Sequence, residues 1–142
     1  MQPTNPTDAE QQRPKRPLRI LCAEDDPLVL NVVSILLTRC GHSVDTASDG
    51  MQALAKVVSD IDAFDLVITD QQMPRLDGVG LVRQLRSADY SGKVIVLAGN
   101  LSPEARASFQ ELCVDRILSK SVKPDLLLQA IEDISDDSTN EA

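Results

Sequence analysis

The sequence predicts an α/β fold in which a parallel sheet is covered by helices on both faces, and three observations carry that prediction. Strand-like apolar runs and helix-like amphipathic segments alternate five times. The first and third runs, Leu18 to Ala23 and Phe64 to Thr69, are nearly continuous in apolar character, as strands buried on both faces are. Both stop abruptly at acids, the first at Glu24-Asp25-Asp26 and the second at Asp70. Strict alternation implies right-handed crossovers, which distribute the helices over both faces of one sheet.

Each element has its own signature. After the first strand, Asp26 caps a helix with Pro27 at its first position, and Leu28, Val32, Ile35 and Leu36 are expected to share its inward face. That helix ends near Cys40-Gly41, and His42 follows in a loop, read as surface. Ser43 to Ala47 is a short second strand. Asp49-Gly50 opens a second helix with Ala53, Leu54, Val57 and Val58 on its apolar side. The third strand leads into Asp70-Gln71-Gln72-Met73-Pro74-Arg75-Leu76-Asp77-Gly78, and a helix from about Gly78 follows with Val79, Val82 and Leu85 inward.

Lys93 to Leu97 is the fourth strand. Ser102-Pro103-Glu104 combines a serine cap, a proline at the first helical position and an acid in the first turn, which starts the fourth helix. Val114 to Ser119 is the fifth strand, closed by Lys120. Pro124 begins a last helix whose buried stripe is Leu127, Ala130, Ile131 and Ile134.

With 142 residues and 42% hydrophobic content, the chain supports one folded unit. Residues 1–17 hold four prolines and almost no aliphatic side chains, and residues 135–142 are polar and acidic, so both ends are expected to be disordered tails around a domain at 18–134. The net charge is −8, and the segment from Leu18 to Ile134 alone holds 17 acidic against 11 basic residues, a balance of −6. That balance argues against a nucleic-acid partner, whose phosphates would repel it. Three widely spaced cysteines without a C-x-x-C pair fit a reducing cytoplasm rather than a disulfide framework or a zinc site. The best apolar stretch, Leu28 to Leu37, is interrupted by Asn31 and Ser34, so neither secretion nor a membrane partner is expected.

In such sheets ligands sit at the carboxyl ends of the strands, where Glu24, Asp25, Asp70, Ala98 and Lys120 would gather. Carboxylates about 4 Å apart repel by about 4 kcal/mol per pair at an effective dielectric of 20, so the cluster calls for a cation. Mg²⁺ is the natural one, being a hard ion held by one or two carboxylates with phosphate oxygens and water. Asp70 is then a candidate acyl-phosphate nucleophile, and Lys120 a compact charge for a phosphoryl oxygen.

At this point the residues resemble the receiver domain of bacterial two-component response regulators, from Leu18 to Ile134. Ile20-Leu21-Cys22-Ala23-Glu24-Asp25-Asp26-Pro27 is similar to that family's acid-terminated first strand, and the loop from Asp70 to Gly78, ending in Met-Pro-x-x-Asp-Gly, is similar to its phosphoacceptor loop. The resemblance implies a flavodoxin-like doubly wound fold with five parallel strands in the order 2-1-3-4-5. It implies Asp70 as phosphoacceptor, Asp25 as a direct Mg²⁺ ligand, Glu24 as one through water, and Gln72 as a ligand through its backbone carbonyl. It implies that Lys120 neutralises the phosphoryl group, and that the donor is a phosphohistidine on a sensor histidine kinase or a histidine phosphotransfer protein. The chain would assist its own phosphorylation without being an enzyme in the ordinary sense, and would signal to a downstream protein target.

Three positions depart from the family pattern. Ala98 stands where the family usually has a hydroxyl that follows the phosphoryl oxygen, Ile117 where it usually has an aromatic residue, and Ser121 where a proline commonly follows the lysine. The chain is therefore expected to accept phosphate but to switch atypically, with Asn100 or Ser102 as a replacement donor. Gln72 and Asn100 are also expected to flank the path of a hydrolytic water. The alternative is a receiver-like adaptor that works without phosphorylation. A haloacid-dehalogenase-like phosphatase would need Asp-x-Asp after its first strand, which Glu24-Asp25-Asp26-Pro27 does not supply.

Overall fold

In the computed structural model, which describes residues 17–139, five strands alternate with five helices. The strands are β1 (Arg19–Ala23), β2 (Ser43–Ala47), β3 (Leu66–Thr69), β4 (Lys93–Ala98) and β5 (Arg116–Ser119). The helices are α1 (Pro27–Arg39), α2 (Gly50–Ser59), α3 (Gly78–Ser87), α4 (Pro103–Glu111) and α5 (Pro124–Thr139). All four strand pairings are parallel and give the order β2-β1-β3-β4-β5, the doubly wound arrangement expected from the sequence.

Because successive side chains of a strand face opposite ways, the three central strands supply two cores at once. Leu21, Val67, Val94 and Val96 face α2, α3 and α4, meeting Val57, Leu85 and the fully buried Phe109. Ile20, Ile68, Ile95 and Leu97 face the other way, against Leu37 of α1 and Leu127, Ile131 and Ile134 of α5. Four helices start on side-chain caps, three of them at residues the sequence marked as helix openings and the fourth at Asp77. Asp26 accepts from the Leu28 N–H (3.0 Å), Asp49 from Gln52 (2.7 Å), Asp77 from Gly80 (2.8 Å) and Ser102 from Ala105 (3.0 Å). Each such bond satisfies an orphan helical donor and is worth about 1 kcal/mol.

Several expectations need correction. The inward face of α1 is carried by Val33 and Leu37, while Leu28, Val32 and Ile35 are 77%, 63% and 49% exposed. The helix has two apolar stripes, and periodicity alone cannot say which one the sheet covers. Helix α5 continues past Ile134 to Thr139, into the segment expected to be an acidic tail. Residues 1–16 and 140–142 lie outside the described residues.

His42 is not on the surface. It is buried, and its Nδ1 accepts the Leu18 N–H at 3.0 Å, closing the gap ahead of β1. Burial lowers its pKa, and a proton on Nδ1 would remove the acceptor. The folded state therefore prefers the neutral ring, and the unfolded chain takes up the proton first as pH falls below about 6.5, so stability drops on acidification through that point. The urea midpoint is expected to fall between about pH 7.5 and pH 5.5 by more in the wild type than in His42→Asn, which keeps an acceptor that does not titrate. Parallel pH dependence in the two proteins would contradict this.

Candidate functional site

The sheet ladder runs one residue beyond three of its strands and thereby fixes three side chains. Glu24 N–H donates to Ala47 O (3.0 Å), Asp70 N–H to Ala23 O (3.1 Å) and Lys120 N–H to Ala98 O (3.0 Å). Since β1 lies between β2 and β3, and β4 between β3 and β5, these side chains leave the same edge of the sheet. They meet there. Lys120 Nζ lies 2.8 Å from Asp70 Oδ2 and 2.9 Å from Glu24 Oε1.

The remaining carboxylate oxygens are also held. Glu24 Oε2 accepts the Asp26 N–H (3.0 Å), and Asp70 Oδ1 accepts the Gln71 N–H (2.7 Å). Ligand-type oxygens of Glu24, Asp25 and Asp70 lie within 4.8 Å of one another. Glu24 and Asp70 are buried at 3% and 5% exposure, whereas Asp25 is exposed. Two acids thus form a floor, and the third stands at the solvent edge.

Burial raises the Glu24 pKa, and its hydrogen bonds from the Asp26 backbone and Lys120 do not fully offset this. For Lys120 burial acts downward, but its bonds to Asp70 and then Glu24 outweigh it and raise the pKa overall. The two directions agree physically: the ammonium gains two partners, while Glu24 must share one cation with Asp70. One ammonium among three carboxylates leaves the cluster short of positive charge. An all-oxygen donor set with one exposed member suits a hard divalent ion.

Asp25, at the solvent edge of the cluster, also lines a cleft of about 560 Å³ together with Gln71, Gln72, Asp77, Asn100 and Ser102, among others. The ion pairs and the carboxylate cluster bring Glu24, Asp25, Asp70 and Lys120 together, and the exposed Gln72 and Asn100 lie on the cleft wall beside Asp25. Ala98 is buried at the end of β4 and brings no hydroxyl. In capping α4 the Ser102 Oγ accepts the Ala105 N–H and keeps its own O–H to donate, so Ser102 and Asn100 both stand on the cleft wall as the expected replacement donors. Gln71, absent from the expected site, holds Asp70 Oδ1 through its backbone and lines the cleft. Its only trace in the sequence is a polar side chain directly after the acid that ends a strand.

Residues 20–132 match the family model described as the response regulator receiver domain. The chain belongs to that family. Among curated relatives, the receiver region is 36% identical over 118 residues to the gliding motility regulatory protein of Myxococcus xanthus, covering 81% of this chain and 15% of that protein. It is 36% identical over 124 residues to the transcriptional regulatory protein GlrR of Escherichia coli, covering 87% of this chain and 27% of that one. The chain thus spans only a minor part of these relatives. A CheY-like receiver domain protein from Methanospirillum hungatei superposes with a TM-score of 0.82 at 25% identity, over 89% of this chain and all of that one (100%). A receiver domain protein from Clostridium thermocellum gives a TM-score of 0.79 at 26% identity, over 85% and 96% of the two chains.

As a receiver domain, this chain differs at the positions noted from its sequence. Ile117, half-buried, pairs with Val96 in the β4–β5 ladder, and no cis peptide occurs among the described residues, so Lys120–Ser121 is trans. No helix among the described residues is long and apolar enough to cross a membrane.

Proposed function

We propose that this receiver domain takes a phosphoryl group onto Asp70 from a phosphohistidine of a sensor histidine kinase or histidine phosphotransfer protein, and relays it through protein contacts. The observation that carries the reading is Lys120 Nζ bridging Asp70 Oδ2 and Glu24 Oε1 beside Asp25. An Asp70 carboxylate oxygen attacks phosphorus, the P–N bond breaks, and the histidine leaves with its electron pair and takes up a proton. Lys120 stays with the transferred group and offsets its charge, which asks for no deprotonation of the amine. Water attack later returns the carboxylate and inorganic phosphate.

Asp25 and Asp70, with the Gln72 carbonyl and Glu24 through water, would hold Mg²⁺. The ion would supply charge neutralisation for the phosphoryl oxygens. Gln72 and Asn100, on the cleft wall, would orient or obstruct the hydrolytic water. At Ala98 there is no hydroxyl to follow the phosphoryl oxygen, which argues for an atypical switch.

An exposed apolar surface lies next to this centre. The exposed Leu28, Val32 and Ile35 form an apolar stripe on α1, and a groove beside it is lined by Val32, Leu36, Leu97, Val122, Leu127 and Lys120. An apolar surface that runs up to the reacting lysine suits docking of the phosphohistidine protein. Val32→Asp is expected to slow transfer from that protein about tenfold or more, the cost of about 1.4 kcal/mol of lost interface, while uptake from a small phosphodonor is unchanged.

Incubation of the full chain with a small phosphodonor and Mg²⁺, followed by intact-mass measurement, tests the central reading. One phosphoryl increment that maps to Asp70 is expected. Its absence from the folded wild type would favour the phosphorylation-independent adaptor instead.

A further inference from the structure

Gln71 is engaged at every polar atom it owns. Its N–H donates to Asp70 Oδ1 (2.7 Å), and its backbone carbonyl accepts the Gly78 N–H (2.9 Å). Its side-chain Oε1 accepts the Val79 N–H (2.8 Å), and its Nε2 donates to Asp77 Oδ2 (3.3 Å). Asp77 Oδ1 in turn takes the Gly80 N–H. The first three helical donors of α3 are thus all satisfied, two by Gln71 and one by Asp77. A free helix N-terminus would attract an anion; this one is spent on anchoring the loop that carries Asp70.

The loop cannot relax elsewhere without breaking that anchor. A Cβ on Gly78 would stand 2.3 Å from the Asp70 carbonyl oxygen and 3.0 Å from Gln71 Cα, so the two ends of the loop are already in close backbone contact. The peptide that leads from Gln71 to Gln72 is consequently held at its start from both sides. On the proposed function, this peptide precedes the carbonyl of Gln72 that faces the metal.

We infer that Gln71 is a positioning residue: its side chain locks the segment Asp70 to Gln72 onto α3, and so pre-sets the Gln72 carbonyl for Mg²⁺. The inference rests on the reading above. It places a hydrogen-bonding side chain behind the metal position, where groups that orient ligands commonly change affinity by about 10-fold or more when removed.

The test uses the full chain, Gln71→Met, which keeps the length without the hydrogen bonds, and Gln71→Ala. Mg²⁺ is titrated into the unphosphorylated protein and followed by backbone amide chemical shifts, alongside amide exchange in the metal-free state. In both variants the Mg²⁺ midpoint is expected to rise about tenfold, the Val79 amide to exchange faster, and the phosphorylation rate at saturating Mg²⁺ to return to near the wild-type value. Gln71→Glu combined with Asp77→Asn keeps an acceptor for the Val79 N–H and reverses the donor and acceptor of the 71–77 bond, and is expected to restore protection of that amide. Faster Val79 exchange with an unchanged Mg²⁺ midpoint would reduce Gln71 to a helix cap and overturn the inference. So would failure of the Gln71→Glu, Asp77→Asn pair to protect Val79. If the wild type itself takes up neither Mg²⁺ nor phosphoryl, the function fails first; if it takes up both and Gln71→Met matches it, only the inference fails.

Discussion

Asp70→Asn is expected to abolish phosphoryl uptake while leaving the metal-free fold at least as stable as the wild type. An amide oxygen carries no full charge and cannot yield an acyl phosphate, so no residual route exists through this side chain. Stability behaves differently because Asp70 contributes to a crowded cluster. Its oxygens lie within 4.8 Å of those of Glu24 and Asp25, and Lys120 keeps its 2.9 Å partner, Glu24, when the Asp70 charge is removed. Asn retains one oxygen for the Gln71 N–H, and its NH2 then takes the place of Oδ2, so Lys120 holds to Glu24 alone. The relief of carboxylate repulsion and the loss of one ion pair then nearly cancel, leaving a change of about 1 kcal/mol or less in the stabilising direction. Intact mass after incubation with a small phosphodonor reads the first effect, and the urea midpoint without Mg²⁺ reads the second. A phosphoform of the variant at wild-type yield would place the acceptor elsewhere, and a large loss of stability would mean that the Asp70–Lys120 pair, not phosphate chemistry, is what this acid serves.

The parts of this site that could be read from the sequence are those where one local rule decides the position. Glu24, Asp70 and Lys120 each follow directly on a strand, and parallel pairing brings such positions to one edge whatever the detailed register. The caps at Asp26, Asp49 and Ser102 are equally legible, because a short polar side chain ahead of an amphipathic run has a single common use. Reading failed where two arrangements satisfy the same local rule. In α1 the stripe of Leu28, Val32 and Ile35 is as periodic as that of Val33 and Leu37, and only the sheet decides between them. For His42, burial depends on a partner 24 residues away, the Leu18 N–H, which no window around the histidine contains. Gln71 was missed for a similar reason: its side chain bonds a helix start eight residues on, and nothing in the spacing of a polar loop distinguishes an anchor from a solvated amide.

Gly78→Ala is expected to cost about 2–3 kcal/mol of stability and to slow phosphoryl uptake about tenfold or more, at a temperature where the variant remains folded. The reason is space rather than torsion, since Gly78 has no positive φ. Its missing Cβ is what allows the Asp70 carbonyl to approach, and the atoms that a methyl group would meet, Asp70 O at 2.3 Å and Gln71 Cα at 3.0 Å, are backbone. Backbone cannot swing aside as the end of a flexible side chain does. The loop must lift instead, and the 2.9 Å bond from Gly78 N–H to Gln71 O is the first to lengthen. Because Asp70 and Gln72 flank that point, displacement reaches the acceptor and the cleft wall together, and misplacement of about 1 Å is enough to cost orders of magnitude in a positioned reaction. Gly99 supplies the control in the same molecule. It follows β4 at the same edge of the sheet, yet a Cβ there would meet nothing within 4 Å, so Gly99→Ala is expected to stay within about 0.5 kcal/mol of the wild type. Urea unfolding and phosphorylation time courses on the two variants separate the cases. Equal behaviour of Gly78→Ala and Gly99→Ala would show that the loop yields freely, and the rigid presentation of Asp70 argued above would have to be given up.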